Sequence, residues 1–203
     1  MIKARHTRIG VWFFRNYSGF FLGRNFKSIN IEGDYKDSNK SVLVISNHFS
    51  WWDGFIQLVL NEKVFKKVFY VMMLEEQLKR FMILNKAGAF SIKKQTREII
   101  ESLRYCNELL VHKSNLLLIF PQGEIQSLYT QTFVFEKGLL FLLKNENTSL
   151  IFNVNLVDYF SDKKPHLKIY YKEYVYDKNT SLRDIENSFN SFASECRDKQ
   201  KTR

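Results

Sequence analysis

A chain of 203 residues is long enough for one domain with a full core. Apolar residues make up 45% and aromatics 16%, with 19 Phe, which excludes an intrinsically disordered chain. Lys and Arg total 31 against 21 Asp and Glu, and the net charge of +10 implies an anionic partner: nucleic acid, an anionic membrane surface or a phosphorylated ligand. The two cysteines, Cys106 and Cys196, fit no C-x-x-C metal or redox pattern and read as free thiols in a reducing compartment, Cys106 in the core. The basic start lacks a clean apolar region followed by a small-residue cleavage site, so no signal peptide is expected.

Residues 1 to 24 interleave Lys3, Arg5, Arg8, Arg15 and Arg24 with Ile9, Val11, Trp12, Phe13, Phe14, Phe20, Phe21 and Leu22. The apolar run is broken by Arg15-Asn16 and is too short to span a bilayer. It reads as a helix in the membrane interface, aromatic side chains inserted and basic ones near the headgroups. The alternative is a helix that covers the domain's own core. Phe26 to Glu32 alternates as a strand, and Gly33-Asp34 reads as a turn.

Val42-Leu43-Val44-Ile45 is an apolar run of strand length, and it leads into Ser46-Asn47-His48 and then Asp53. A histidine followed by a carboxylate suggests a general base and the group that orients it. Five residues on a straight helix turn about 500°, which leaves the two side chains roughly 140° apart. They meet only if His48 lies in the turn after the strand and Asp53 in the first turn of the next helix. Ser50 is the expected N-cap, and Gly54 to Leu60 continues that helix. The same residues fit a purely structural role, because Ser50-Trp51-Trp52-Asp53 matches a capping box and His48 fits a turn.

Lys63, Lys66 and Lys67 read as a solvated basic face. Val68 to Leu74 reads as a second buried strand, and Glu75 to Leu84 as a helix. Ala87 to Ile92 is a turn into a short strand. Arg97 to His112 carries Ile99, Ile100, Leu103, Cys106, Leu109 and Leu110 at helical spacing. Asn115 to Phe120 is a third apolar strand that runs into Pro121-Gln122-Gly123-Glu124, where Pro121 stops it and Gly123 permits an unusual backbone angle or close ligand approach. Glu136 to Leu143 reads as a short helix, Leu150 to Val157 and Leu167 to Tyr176 as strands, and Ser181 to about Arg197 as a closing helix capped by Ser181. Strands alternating with helices indicate one α/β domain, its ligand site beyond the carboxyl ends of the strands. His48 and Gly123 both follow buried strands, so both are expected to face one crevice.

Four blocks then carry a resemblance. Asn47-His48-Phe49-Ser50-Trp51-Trp52-Asp53 resembles the N-H-x4-D block of the PlsC-like glycerolipid and lysophospholipid acyltransferases, the family of 1-acylglycerol-3-phosphate acyltransferases. Gly88-Ala89-Phe90-Ser91-Ile92-Lys93-Lys94 is similar to the second block, Phe120-Pro121-Gln122-Gly123-Glu124 to the third, F-P-E-G-T-R-S, and Ile151-Phe152-Asn153-Val154 to the weak apolar fourth. The match covers about residues 40 to 160. It implies a mixed, largely parallel sheet flanked by helices; with the interfacial helix read from residues 1–24, a single acyltransferase domain is expected at 25–203.

The resemblance implies transfer of an acyl group from acyl-CoA or acyl-carrier protein to a hydroxyl of a lipid acceptor, with no cofactor and no metal. His48 would take the hydroxyl proton and Asp53 would hold the imidazole. Backbone N–H groups around Gly123 are oxyanion candidates. Lys94, Gln122, Gly123 and Glu124 would bind the acceptor headgroup. Phe49, Trp51 and Trp52 would line an acyl-chain groove; core or membrane-edge positions fit them equally. The expected location is peripheral, on the cytoplasmic face of a membrane, with membrane lipids as partners.

This chain departs from the family pattern: Gln122 replaces Glu, Glu124 replaces Thr, Ile125 replaces the phosphate-associated Arg, and Lys94 replaces the Arg of the second block. Lysine pairs with phosphate as a point charge without the bidentate fork, and Glu124 would repel a phosphate. An acceptor other than lysophosphatidic acid is therefore expected, unless Lys93, Lys94 and Arg97 restore the missing charge. Two other classes compete: a non-catalytic lipid-binding module, which would not need both His48 and Asp53, and a basic nucleic-acid-binding domain, for which no motif is visible. A metallohydrolase is disfavoured because His48 lacks a second histidine at ligand spacing.

Overall fold

The computed structural model describes residues 1–93, 98–143 and 147–201. Strands β1 (Ser28–Asp34), β2 (Ser41–Ser46), β3 (Val68–Leu74), β4 (Ala89–Ile92), β5 (Asn115–Ile119), β6 (Thr148–Asp158) and β7 (His166–Tyr174) form one seven-stranded sheet in the order β1-β7-β6-β2-β5-β3-β4. Among the described residues the β6–β7 ladder alone is antiparallel. Helices α1 (Arg8–Asn25), α2 (Asp53–Leu60), α3 (Glu75–Arg80), α4 (Glu98–Val111), α5 (Leu139–Leu142) and α6 (Leu182–Lys201) flank it. The expected mixed, largely parallel α/β architecture is present.

The apolar runs are explained by burial on both sheet faces. Leu43, Ile45, Leu117, Ile119, Leu150 and Phe152 face Cys106 and Leu110 of α4 and Phe189 of α6. Val42, Val44, Leu116, Leu118 and Ile151 face Leu22 of α1 and Ile56 and Leu60 of α2. β2 and β5 are buried along their whole length. Both cysteines are free and buried.

The sheet parts between β3 and β5. Their ladder ends at the Val71–Leu118 pair, whereas β3 runs on beside β4 to the Leu74–Ile92 pair. The gap opens at carboxyl strand ends, the place where open α/β sheets hold ligands.

Several boundaries differ from the sequence reading. Gly33-Asp34 is no turn: both residues continue β1 opposite Tyr171 and Lys172. A side chain at Gly33 would put its Cβ 2.2 Å from the Tyr171 carbonyl, so glycine is needed there for close approach of two strands. Helix 75–84 becomes α3 followed by a 3₁₀ segment, Met82–Ala87. The 136–143 helix shrinks to α5, four residues, with Lys137-Gly138 in a turn. Lys67 is not fully solvated: its Nζ donates to Lys113 O at 2.9 Å and its side chain is 7% exposed.

The helix at 1–24 begins at Arg8; residues 1 to 7 run extended, with Ile2 O accepting from Ser91 N and the Arg5 and Thr7 N–H groups donating to Asn85 O and Lys86 O. One face of α1 covers the core through Phe14, Ser18 and Leu22. Tyr17 and Phe21 pack on Phe55 and Trp52, the latter pair stacked at 3.7 Å. Covering the core, the alternative raised for this segment, is thus what one face of α1 does. Its other face leaves Ile9, Trp12 and Phe20 exposed.

Phe152 anchors the face built by α6: it is 2% exposed and lies 4.7 Å from the Tyr174 ring and 5.5 Å from Phe189. Truncating Phe152 to Ala should cost about 3–5 kcal/mol, read from equilibrium urea denaturation; a loss under about 1 kcal/mol would mean this face collapses onto the void.

Candidate active site

Asp53 is the first residue of α2 and its side chain is fully buried. Its Oδ2 accepts three hydrogen bonds: from the Phe49 N–H at 2.7 Å, the Ser50 N–H at 2.9 Å and His48 Nδ1 at 2.7 Å. The loop thereby curls around one carboxylate oxygen. The loop N–H groups and the His–carboxylate pair meet on the same atom, while α2 itself has no side-chain N-cap bond. Ser50 differs from its expected place: its Oγ accepts from Trp52 N at 3.1 Å, and the helix opens three residues later.

Burial pushes the Asp53 carboxyl above its ordinary range, while the His48, Ser50 and Phe49 donors hold it down. An acceptor-only carboxylate requires the proton of the imidazole on Nδ1, which leaves a lone pair on Nε2. The His48 ring is 21% exposed and stacks on Phe120, centroids 4.0 Å apart. Its backbone is clamped at both ends: His48 N–H donates to Gln122 Oε1 at 2.8 Å and Gln126 N–H donates to His48 O at 2.8 Å. Gln122 Nε2 in turn donates to Gln126 Oε1 at 2.7 Å.

The ring borders a cavity of about 1000 Å³ that enters the gap between β3 and β5. That is the upper end of the ~300–1,000 Å³ usual for small-molecule sites. Its walls include Phe69, Leu58 and Val71 from one side of the sheet and Met72, Leu103 and Leu142 from the other. Polar groups are few: His48, Gln77, Glu124, Glu136 and Lys137 border it. An apolar chamber with a histidine at its rim suits a long apolar chain that carries one reactive polar group. Among the described residues no three His, Cys, Asp or Glu side chains gather as a metal site.

The structure joins His48, Asp53, Gly123 and Glu124 at this place. Gly123 takes φ +72°, which glycine tolerates, and its N–H donates to Phe120 O at 3.0 Å, so this N–H, one of the oxyanion candidates, is spent within the loop. Gln122 is buried, with both ends of its amide engaged by the His48 loop and Gln126. Lys94 lies outside the described residues, as does Arg97. Of the three aromatics, Trp51 lines the cavity; Trp52 stacks on Phe21 of α1, and Phe49 packs on the α1–α2 side of the core. Sequence reading missed Phe120 as the stacking partner of His48, and Gln57, Asn153 and Asn155 beneath the loop. A visible signal was present: amides interrupt the apolar pattern of Ile151 to Leu156, and Gln57 sits among the apolar residues of α2.

The raised Asp53 carboxyl has a stability consequence. Folding favours the protonated form, so this contribution is full in acid and lost as pH rises through the raised value. Asp53→Asn carries no charge to bury. Its melting temperature relative to wild type should therefore climb between pH 4 and pH 7; a difference independent of pH would mean that the three donors cancel the burial cost completely.

The acyltransferase family model matches residues 28–152, a span that holds every strand from β1 to β5 and both halves of the His48–Asp53 pair. No curated protein matches the chain. With the match extending over more than half of its length, the chain belongs to the acyltransferase family.

Proposed function

We propose that the protein moves a fatty acyl group from acyl-CoA or acyl-carrier protein to a hydroxyl of a lysophospholipid or related lipid acceptor, with His48 as general base and Asp53 as the group that orients it. The observation that carries this reading is the His48–Asp53 hydrogen bond at the rim of the apolar cavity. The acceptor oxygen attacks the thioester carbonyl carbon while His48 Nε2 takes its proton. The tetrahedral intermediate collapses, the C–S bond breaks, and the departing sulfur receives the proton from His48. No acyl-enzyme forms. Asp53 stabilises the imidazolium between the two transfers. The acyl chain would occupy the cavity, with Trp51 and Phe55 beside it.

The acceptor is expected to differ from lysophosphatidic acid. Glu124 and Glu136 border the cavity where a phosphate would meet repulsion, and Lys137 is the cation beside them among the described residues. A lyso-amino-acid lipid, a glycolipid or another hydroxylated lipid suits such a rim better. Location at a membrane surface rests on α1, whose exposed Ile9, Trp12, Phe13 and Phe20 recur at helical spacing beside Arg8 and Arg15. Among the described residues no helix is long and apolar enough to cross a membrane.

The test is transfer from labelled acyl-CoA and acyl-carrier protein into lipid extract and a panel of purified lyso-acceptors. His48→Ala should lower turnover by roughly 10²–10⁴-fold, and lysophosphatidic acid should not be the preferred acceptor. Full activity in His48→Ala sinks the base assignment. Absence of transfer from either donor, with vesicle binding intact, favours a non-catalytic lipid-binding module. In sedimentation with anionic vesicles, Trp12→Ser and Phe20→Ser should each weaken binding on the order of tenfold, and added salt should weaken it further; unchanged binding would remove α1 from the membrane contact.

A further inference from the structure

We infer that Gln57, Asn153 and Asn155 are positioning residues that set the His48–Asp53 geometry through a buried amide network; this rests on the reading of His48 as the base. Gln57 lies four residues after Asp53 and therefore on the same side of α2. It is 2% exposed, and its Nε2 donates to Asn153 Oδ1 and, at 3.4 Å, to Ser46 Oγ. Ser46 Oγ donates to the same Asn153 oxygen at 2.7 Å, and Asn153 Nδ2 donates to Tyr170 O at 2.9 Å. Asn155 Nδ2 reaches Ser46 Oγ at 3.3 Å.

The network ends on the residue before the base. Asn47 Nδ2 donates to Asn155 O at 3.0 Å, and Asn155 N–H donates to Asn47 Oδ1 at 2.8 Å. The Asn47 side chain thus stands in for strand backbone where β2 stops. It satisfies β6 while the main chain leaves the sheet to place His48 over Phe120. Three elements are tied at one point: the end of β2, which leads to His48; α2, which carries Asp53; and β6 beneath both.

An apolar interface of this size would let α2 slide and still bury its surface. Directed amide bonds do not, since a shift of one residue would leave buried donors and acceptors unmet. The network is kept at a cost: Asn155 Oδ1 is buried with no partner. A leucine there would avoid that cost, so the amide is explained by position and not by stability.

The test compares Gln57→Leu with Ser41→Ala. Leucine keeps the volume of Gln57, and Asn153 Oδ1 still accepts from Ser46. Ser41 makes a similar buried polar contact at the opposite end of β2, with Leu110 O. Gln57→Leu should lower kcat on the order of 10- to 100-fold with KM little changed, and should alter the pH profile of kcat/KM; Ser41→Ala should leave both unchanged. The downfield Nδ1–H proton resonance of His48 should shift in Gln57→Leu and stay in place in Ser41→Ala. A Gln57→Leu enzyme with wild-type kcat, beside an inactive His48→Ala, overturns the inference. If His48→Ala is itself fully active, the reading of His48 fails first. The proton resonance then decides this inference alone: unmoved in Gln57→Leu, it overturns the positioning role.

Discussion

One oxygen organises this protein's working end. Asp53 Oδ2 is buried and collects three donors, two from the backbone of Phe49 and Ser50 and one from His48. A buried carboxylate without such donors would be neutralised or would unfold its surroundings. The loop from Asn47 to Trp52 has little choice of path once that charge is in place. It must turn its N–H groups inward, and His48 Nδ1 joins them on the same oxygen. The tautomer of His48, its orientation and the start of α2 therefore follow from a single electrostatic requirement. The path of the loop and the orientation of the His48 ring are two consequences of the same bonds.

The second constraint is the parting of the sheet. β3 and β5 pair only as far as Val71 and Leu118, so their carboxyl ends diverge beside His48. Side chains from both sides of the sheet border the space that results, which is why most of the residues that line it are apolar. The apolar wall also reaches α1, through Phe14. The N-terminal helix thus belongs to the same body: one face closes the chamber and packs Phe21 on Trp52, and the other displays Ile9, Trp12 and Phe20.

Below the site, polarity is used where the rest of the core is apolar. Ser46, Gln57, Asn153 and Asn155 are all at most 2% exposed, yet strand alternation and the position of α2 put them on the face of the sheet that carries the apolar cluster of Val44, Ile151 and Ile56. Directional bonds hold what hydrophobic contact leaves free to slide, the relative position of a strand end and a helix start.

The alternation of strands and helices, the turn that brings His48 to Asp53 and the stop at Pro121 were legible in the residues alone, whereas the N-cap expected at Ser50 is not formed, its Oγ accepting from Trp52 N instead. The legible features are local properties, set by side-chain period and by proline. The misses were local too: Gly33 has the composition of a turn, and only the closeness of Tyr171 shows why a strand needs glycine there. What tertiary structure alone decided is which residues distant in the chain share the site. Gln57 and Asn153 are 96 positions apart and meet because β6 lies beside β2 in the sheet order. Trp51 faces the cavity while Trp52 turns to α1, although both are tryptophans in one turn of chain. Local patterns encode which elements form; the order in which strands pair decides which side chains they bring together.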